Sequence, residues 1–299
     1  MQTTTLSSSA RILLKSYFVV FGILLFAIAA FYFISSFALN ADDADQVKDF
    51  ILHNANSTLL LYILVGFAAQ MIDGALGMAY GVSSTSFLLS TGVSPAVASA
   101  SVHMAEVFTT AASGISHWRF GNIDRKLFLS LVIPGAVGAA IGAYLLTNID
   151  GKVIKPYVAV YLGIMGVVIF IKAIRKVVAF KKPKWIAPLA LFGGFVDNIG
   201  GGGWGPIVAT TLLARGAQAR TTIGSVNAAE FFVALTGASV FTLMIGIQGW
   251  HVIIGLIIGG LIAAPLGAFI SSRINHKIMM IMVAMLIILL SMRTLVLVM

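Results

Sequence analysis

The sequence predicts an all-α polytopic membrane protein made of two inverted-topology repeats behind an extra N-terminal span. Three observations predict it. The composition is too poor in charge for a water-facing surface, apolar segments of bilayer length recur along the chain, and one stretch of the first half returns at a constant offset in the second.

Of 299 residues, 59% are hydrophobic and 10% charged, and the mean hydropathy is +1.02. A soluble domain of this size carries about 25% charged residues. Lipid is therefore the expected solvent for most of the surface. The net charge of +9 sits mainly in short loops between apolar segments, as it does when charge encodes membrane orientation, so nucleic acid is not an expected partner. The absence of cysteine excludes disulfides, thiolate metal sites and cysteine nucleophiles.

The first apolar stretch, Leu13 to Phe37, exceeds the roughly 7–15 residues of a signal-peptide core, and is read as a retained span. Long apolar segments follow at about 95–118, 126–147, 154–174, 219–245, 251–271 and 277–297. Two further regions, 57–91 and 185–214, are apolar but interrupted by glycines around an aspartate. Each reads as a helix, a break and a short second helix, either re-entrant or crossing twice.

Charge between segments orients the chain. Arg11 and Lys15 flank one end of the first span, and Asp42, Asp43, Asp45 and Asp49 the other. Arg119, Arg125, Lys126, the basic run Lys172 to Lys184, Arg215, Arg220, Arg273 and Lys277 then fall on the N-terminal side. Lys152 and Lys155 oppose the trend beside Asp150. The positive-inside rule makes the N-terminus cytoplasmic and the C-terminus external, in a bacterial-type inner membrane.

Asp73 and Asp197 lie 197 − 73 = 124 residues apart. At that offset Gly77, Gly81, Leu88, Leu89 and Gly92 match Gly201, Gly205, Leu212, Leu213 and Gly216. Ser101, Val102, Ala105, Glu106 and Phe108 match Ser225, Val226, Ala229, Glu230 and Phe232. With the aspartates these are 11 identities over 73–108, where about three are expected by chance. Each half holds one interrupted region plus three full spans. Three is odd, so the second half enters the membrane upside down, as in many secondary transporters. The expected organisation is an N-terminal span with an acidic external loop (1–54), a first repeat (55–180) and a second (181–299).

Two constellations stand out. The first is QMIDGALGMAYG (70–81) with its counterpart DNIGGGGWGP (197–206). Glycine leaves helical geometry easily, and proline suits the first turn of a new helix. A helix starting at membrane depth offers N–H groups and a positive dipole end to an anion. Such glycines also serve simply to let helices pack closely, but a glycine run with an aspartate, a proline and a duplicate favours a binding break. The second is SASVHMAE (99–106), matched by SVNAAE (225–230). His103 and Glu106 share a helix face, as do Asn227 and Glu230. Intramembrane carboxylates cost about 3 kcal/mol each, so a repeated pair points to a lined cavity rather than to packing alone. One histidine with an asparagine as its counterpart is a poor donor set, so no metal is expected. There is no Walker motif and no cofactor signature.

The duplicated halves, the run Gly200 to Pro206 and the segment IGSVNAAEFF (223–232) resemble the TauE/SafE sulfite exporter family over roughly residues 57–297. The resemblance implies a secondary transporter of sulfite, sulfonates or related small sulfur-containing anions. The first repeat departs from the pattern at DGALG (73–77) and at His103.

The expected function is therefore transport of such an anion, coupled to protons or to the membrane potential, with no catalysis. Gly81, Ser83, Ser84, His103, Asn198, Gly203, Trp204, Gly205 and Asn227 are expected to bind substrate, and Asp73, Glu106, Asp197 and Glu230 to carry protons. The expected partners are the anion, the bilayer and, in an oligomer, further copies of the chain. A cation or metal-ion transporter using the same carboxylates is the first alternative. An intramembrane enzyme is the second, although it lacks a nucleophile beside a base.

Overall fold

A computed structural model describes residues 57–76, 78–174, 185–214, 218–271 and 276–298. The N-terminal span and most of the basic run before Lys184 lie outside the described residues. Among those described, all regular structure is helical.

Helix α1 (Ser57–Leu76) ends at the first break, and α2 (Tyr80–Ser90) resumes after it. Three long helices follow, α3 (Pro95–Arg119), α4 (Arg125–Asn148) and α5 (Gly151–Ile174). The series then repeats. Helix α6 (Ile186–Gly200) ends at the second break, a π-helical turn (Gly205–Ala209) continues into α7 (Thr210–Ala214), and α8 (Ala219–Ile245), α9 (Trp250–Ser271) and α10 (His276–Val298) complete the chain. The breaks are short because each restarts at once: Ala79 takes φ 90° before α2, and Gly201 and Gly202 take φ 71° and 145° after α6.

By length and composition, Arg125–Asn148, Gly151–Ile174, Thr221–Ile245 and Lys277–Val298 can cross a membrane. Helix α6 is apolar but shorter, and α1 and α9 carry apolar stretches at Thr58–Asp73 and Trp250–Ala264. Helix α3 is long enough at 25 residues, but Ser99, Ser101, His103 and Glu106 are buried along it, which makes it the polar member. Ile133, Tyr157 and Leu289 project from α4, α5 and α10 at 61–68% exposure, as lipid-facing side chains do.

Packing crosses between the two halves. Helix α1 packs on α9, and α6 packs on α4. Both crossings run on glycine, where a missing Cβ lets backbone meet backbone. Gly66 faces the carbonyl of Leu256, Gly259 faces that of Ile63, Gly138 faces that of Leu191, and Gly194 faces that of Gly135. Dispersion at such close approach drives helix association in lipid, where the hydrophobic effect is weak. Helices α3 and α8, and α5 and α10, pair across the middle.

The short loop after α3 is stitched beneath α8. Asp124 caps α4 by accepting the N–H groups of Lys126 (2.9 Å) and Leu127 (3.1 Å), the usual task of an N-cap carboxylate. Its own N–H donates to Ser225 Oγ at 2.8 Å.

Candidate functional site

The two breaks touch. A Cβ on Gly81 would lie 2.8 Å from Gly202 Cα and 2.9 Å from Glu106 Oε1. One on Gly205 would lie 2.9 Å from Met78 Cβ, and one on Gly203 would run into the Tyr161 hydroxyl. These glycines thus let one break seat against the other and against α5. Tyr161 Oη donates to Gly202 O at 2.6 Å, and Thr85 Oγ1 donates to Gly201 O.

Each aspartate closes its own break. Asp197 Oδ1 accepts the Trp204 N–H at 2.8 Å, seven residues on. The Tyr80 N–H donates to Asp73, again seven residues on. A carboxylate at a new helix start satisfies an orphan donor and complements the dipole.

Asp197 also joins the halves. Its Oδ2 lies 3.1 Å from His103 Nε2, with both side chains buried. His103 Nδ1 lies 2.8 Å from Ser99 O, so this nitrogen carries a proton and donates it. Ser99 Oγ donates to Asn198 O at 2.7 Å, fixing α3 to the end of α6 a second time. One turn along, Glu106 is 3% exposed and its Oε2 has no hydrogen-bond partner. His103, Glu106 and Asp197 each offer a ligand atom, and these atoms lie within 4.8 Å of one another. This is the donor set among the described residues that could hold a metal ion.

The counterpart side differs. Asn227 Nδ2 donates to Ser113 Oγ at 3.1 Å and makes no bond to Asp73. Glu230 and Asp73 are partly buried, and both bear electrostatically on Glu106. Asp73 and Asp197 in turn bear on Glu230. The four carboxylates thus form one electrostatic group around the meeting of the breaks. Among the described residues, no lysine or arginine lies within ion-pairing distance of any of them.

The remaining expected residues divide. Ser83 and Ser84 are buried in the first turn of α2, and their hydroxyls lack protein partners. Asn198 is buried, with Nδ2 donating to Gly194 O at 3.1 Å and Oδ1 unpartnered. Trp204 is fully buried and sits in packing: its indole N–H donates to Val226 O at 3.2 Å, and its ring lies against Gly135 and Gly193.

Sequence reading missed Tyr161, Thr85 and Lys172. Lys172 Nζ donates to Pro206 O at 2.8 Å and to Thr210 Oγ1, and Thr210 Oγ1 donates to the same carbonyl. The cause is the π register. The Thr210 N–H goes to Gly205 O, which strips Pro206 O of its helical partner, and side chains fill in. Thr210 Oγ1 stays on this carbonyl when Lys172 is replaced, so what is lost is the ammonium's own hydrogen bonds, about 1.5–3 kcal/mol for a charged donor. Lys172→Met is therefore expected to lower thermal stability in detergent by that order, whereas Lys152→Met, on an exposed side chain, should leave the melting temperature unchanged. Equal melting of the two variants would show that the Lys172 contacts carry no weight.

A separate cleft of about 580 Å³ opens between α3, α4 and α8, lined by Thr110, Gly114, Trp118, Arg125, Phe128 and Phe231 among others. None of the expected site residues lines it.

The comparisons with known proteins point to a family of membrane transporters. A profile described as sulfite exporter TauE/SafE matches residues 62–294. The chain is 42% identical over 248 residues to a Bacillus subtilis (strain 168) protein named "Probable membrane transporter protein YtnM", covering 80% of this chain and 83% of that one. No solved structure matches the chain.

Proposed function

The chain belongs to the sulfite exporter TauE/SafE family of membrane transporters, and from that premise we propose that it is a secondary transporter of a small sulfur-containing anion, sulfite or a sulfonate, in a bacterial-type inner membrane. Its N-terminus is cytoplasmic and its C-terminus external. Residues 1–54 form an added span and loop, and 55–180 and 181–299 are two inverted repeats. The reciprocal packing supports the repeats, because α1 on α9 and α6 on α4 exchange places when the halves are interchanged.

The observation that carries the reading is the pair of buried, unpartnered hydroxyls at Ser83 and Ser84, in the first turn of α2, beside the point where Gly81 meets Gly202. Buried polar groups almost always have partners. Donors left open next to a helix start at the centre of a membrane protein suit an oxyanion, which accepts on every oxygen. Gly203 and Gly205 let the second break close on Tyr161 and on Met78. The carboxylates of Asp73, Glu106, Asp197 and Glu230 carry the protons that offset substrate charge.

Counterflow in proteoliposomes with sulfite, sulfate, thiosulfate, sulfoacetate and taurine tests this. At least one of these anions should exchange across the bilayer, and exchange of none would sink the anion reading. Glu230→Gln should leave exchange measurable but flatten its pH profile. Should Glu230→Gln and Asp73→Asn both keep the parental profile, these carboxylates are structural.

A second reading, a cation transporter, is favoured by the His103, Glu106 and Asp197 donor set. Flux of a divalent ion in the same vesicles, with no exchange of any of the five anions, would establish it.

A further inference from the structure

We infer that His103, Glu106 and Asp197 form a binding site for a divalent transition-metal ion where the two breaks meet. The inference stands on the geometry of three side chains and not on the identity of the transported anion.

His103 donates from Nδ1 to the Ser99 carbonyl at 2.8 Å, which leaves a lone pair on Nε2 in the neutral ring. That lone pair faces Asp197 Oδ2 at 3.1 Å. Two such atoms hold that distance only with a proton or a metal ion between or beside them. The other oxygen of Asp197 is already occupied by the Trp204 N–H at 2.8 Å. Both residues therefore have one atom tied down by backbone and one atom aimed at a common point. Metal-binding histidines and carboxylates are oriented in this way by their outer partners.

Glu106 supplies the third atom. It is buried, its Oε2 has no partner, and Gly81 offers no side chain to cover Oε1. The three ligand atoms lie within 4.8 Å of one another. Charge points the same way. With both carboxylates ionised and a neutral histidine the set would carry two negative charges, buried, with no lysine or arginine among the described residues to pair them. Buried charge must be compensated, and a divalent ion does so in full. One imidazole and two carboxylates suit zinc or manganese and their neighbours better than magnesium or calcium, which take oxygen alone.

The site is single because the repeat is unequal. Asn227 stands where a second imidazole would be, and it is turned to Ser113. With the ion bound, protons go to Asp73 and Glu230; in its absence Glu106 and Asp197 take them as well.

The test uses the full chain in detergent, purified on a streptavidin-binding tag so that no added histidines take part. Elemental analysis should find zinc or manganese with the protein. After chelation and dialysis, titration with Zn2+ and with Mn2+ should show one saturable site that raises the melting temperature. His103→Gln and Glu106→Gln should each weaken that site by more than about 100-fold, while His251→Gln leaves it intact. Two variants guard against loss of fold in either one. Absence of saturable binding in the parent would overturn the inference, as would binding that both substitutions leave unchanged. A proton would then bridge His103 and Asp197.

Discussion

Gly202→Ala is expected to remove most of the folded, detergent-stable protein. Gly202 sits at φ 145°, a region costing a residue with a Cβ about 1–3 kcal/mol. That Cβ would also strike the backbone of Val82 and Gly81 across the junction of the breaks. Over-packing adds about 1–3 kcal/mol more, and the sum is a large part of ordinary stability, about 5–15 kcal/mol. Gly163→Ala is the control, since the nearest atom to its new methyl is Ser291 Cβ at 3.6 Å. Size-exclusion profiles and melting temperatures compare the two. A Gly202→Ala protein as monodisperse and heat-stable as Gly163→Ala would mean that the breaks do not meet as described.

The second large effect belongs to Asp197. Alanine there strips the Trp204 N–H of its acceptor and leaves His103 without its partner, in a site where Asp197 is 2% exposed. Two buried groups left without a partner cost about 1–3 kcal/mol each. Asparagine keeps an oxygen for the Trp204 N–H and an amide for His103, so Asp197→Asn should lose about 1–2 kcal/mol. Thermal unfolding of both variants in one detergent measures the gap. Equal losses would show that the two hydrogen bonds contribute little and that the side chain's volume is what matters.

Much of this was legible in the sequence, because it is written locally. Apolar length placed the long helices to within a few residues. Glycine runs beside aspartates marked both breaks, and a three-residue spacing put His103 and Glu106 on one face. The constant offset paired Asp73 with Asp197, and their hydrogen bonds to Tyr80 and Trp204 are the same step repeated.

What was not legible depends on partners far along the chain. Gly255 and Gly163 look alike in sequence, yet a methyl on Gly255 would meet Tyr62 Cβ at 2.5 Å, and one on Gly163 meets only ordinary contact. Trp204 reads as lining a cavity because it lies inside a glycine run. Its ring instead fills the space that Gly135 and Gly193 leave open. Tyr161 and Lys172 carry no local signal, since the carbonyls they serve belong to the other half. The π turn that exposes Pro206 O cannot be foreseen from proline alone, which fits the first turn of any helix.

The crossed packing of α1 on α9 and α6 on α4 bears on how the protein is made. A ribosome delivers the first half to the membrane well before the second. During that interval the glycine faces of α1 and α4 have no mates, because those mates are residues 250–271 and 186–200. Neither half can close on itself: the α4 groove waits in lipid for residues 186–200, and the α1 groove until translation is nearly finished. Insertion machinery that shelters small-residue faces from wrong neighbours would govern yield more than the stability of the finished fold. The same interlock predicts that two separately synthesised halves would associate in the membrane, which co-expression and co-purification would check.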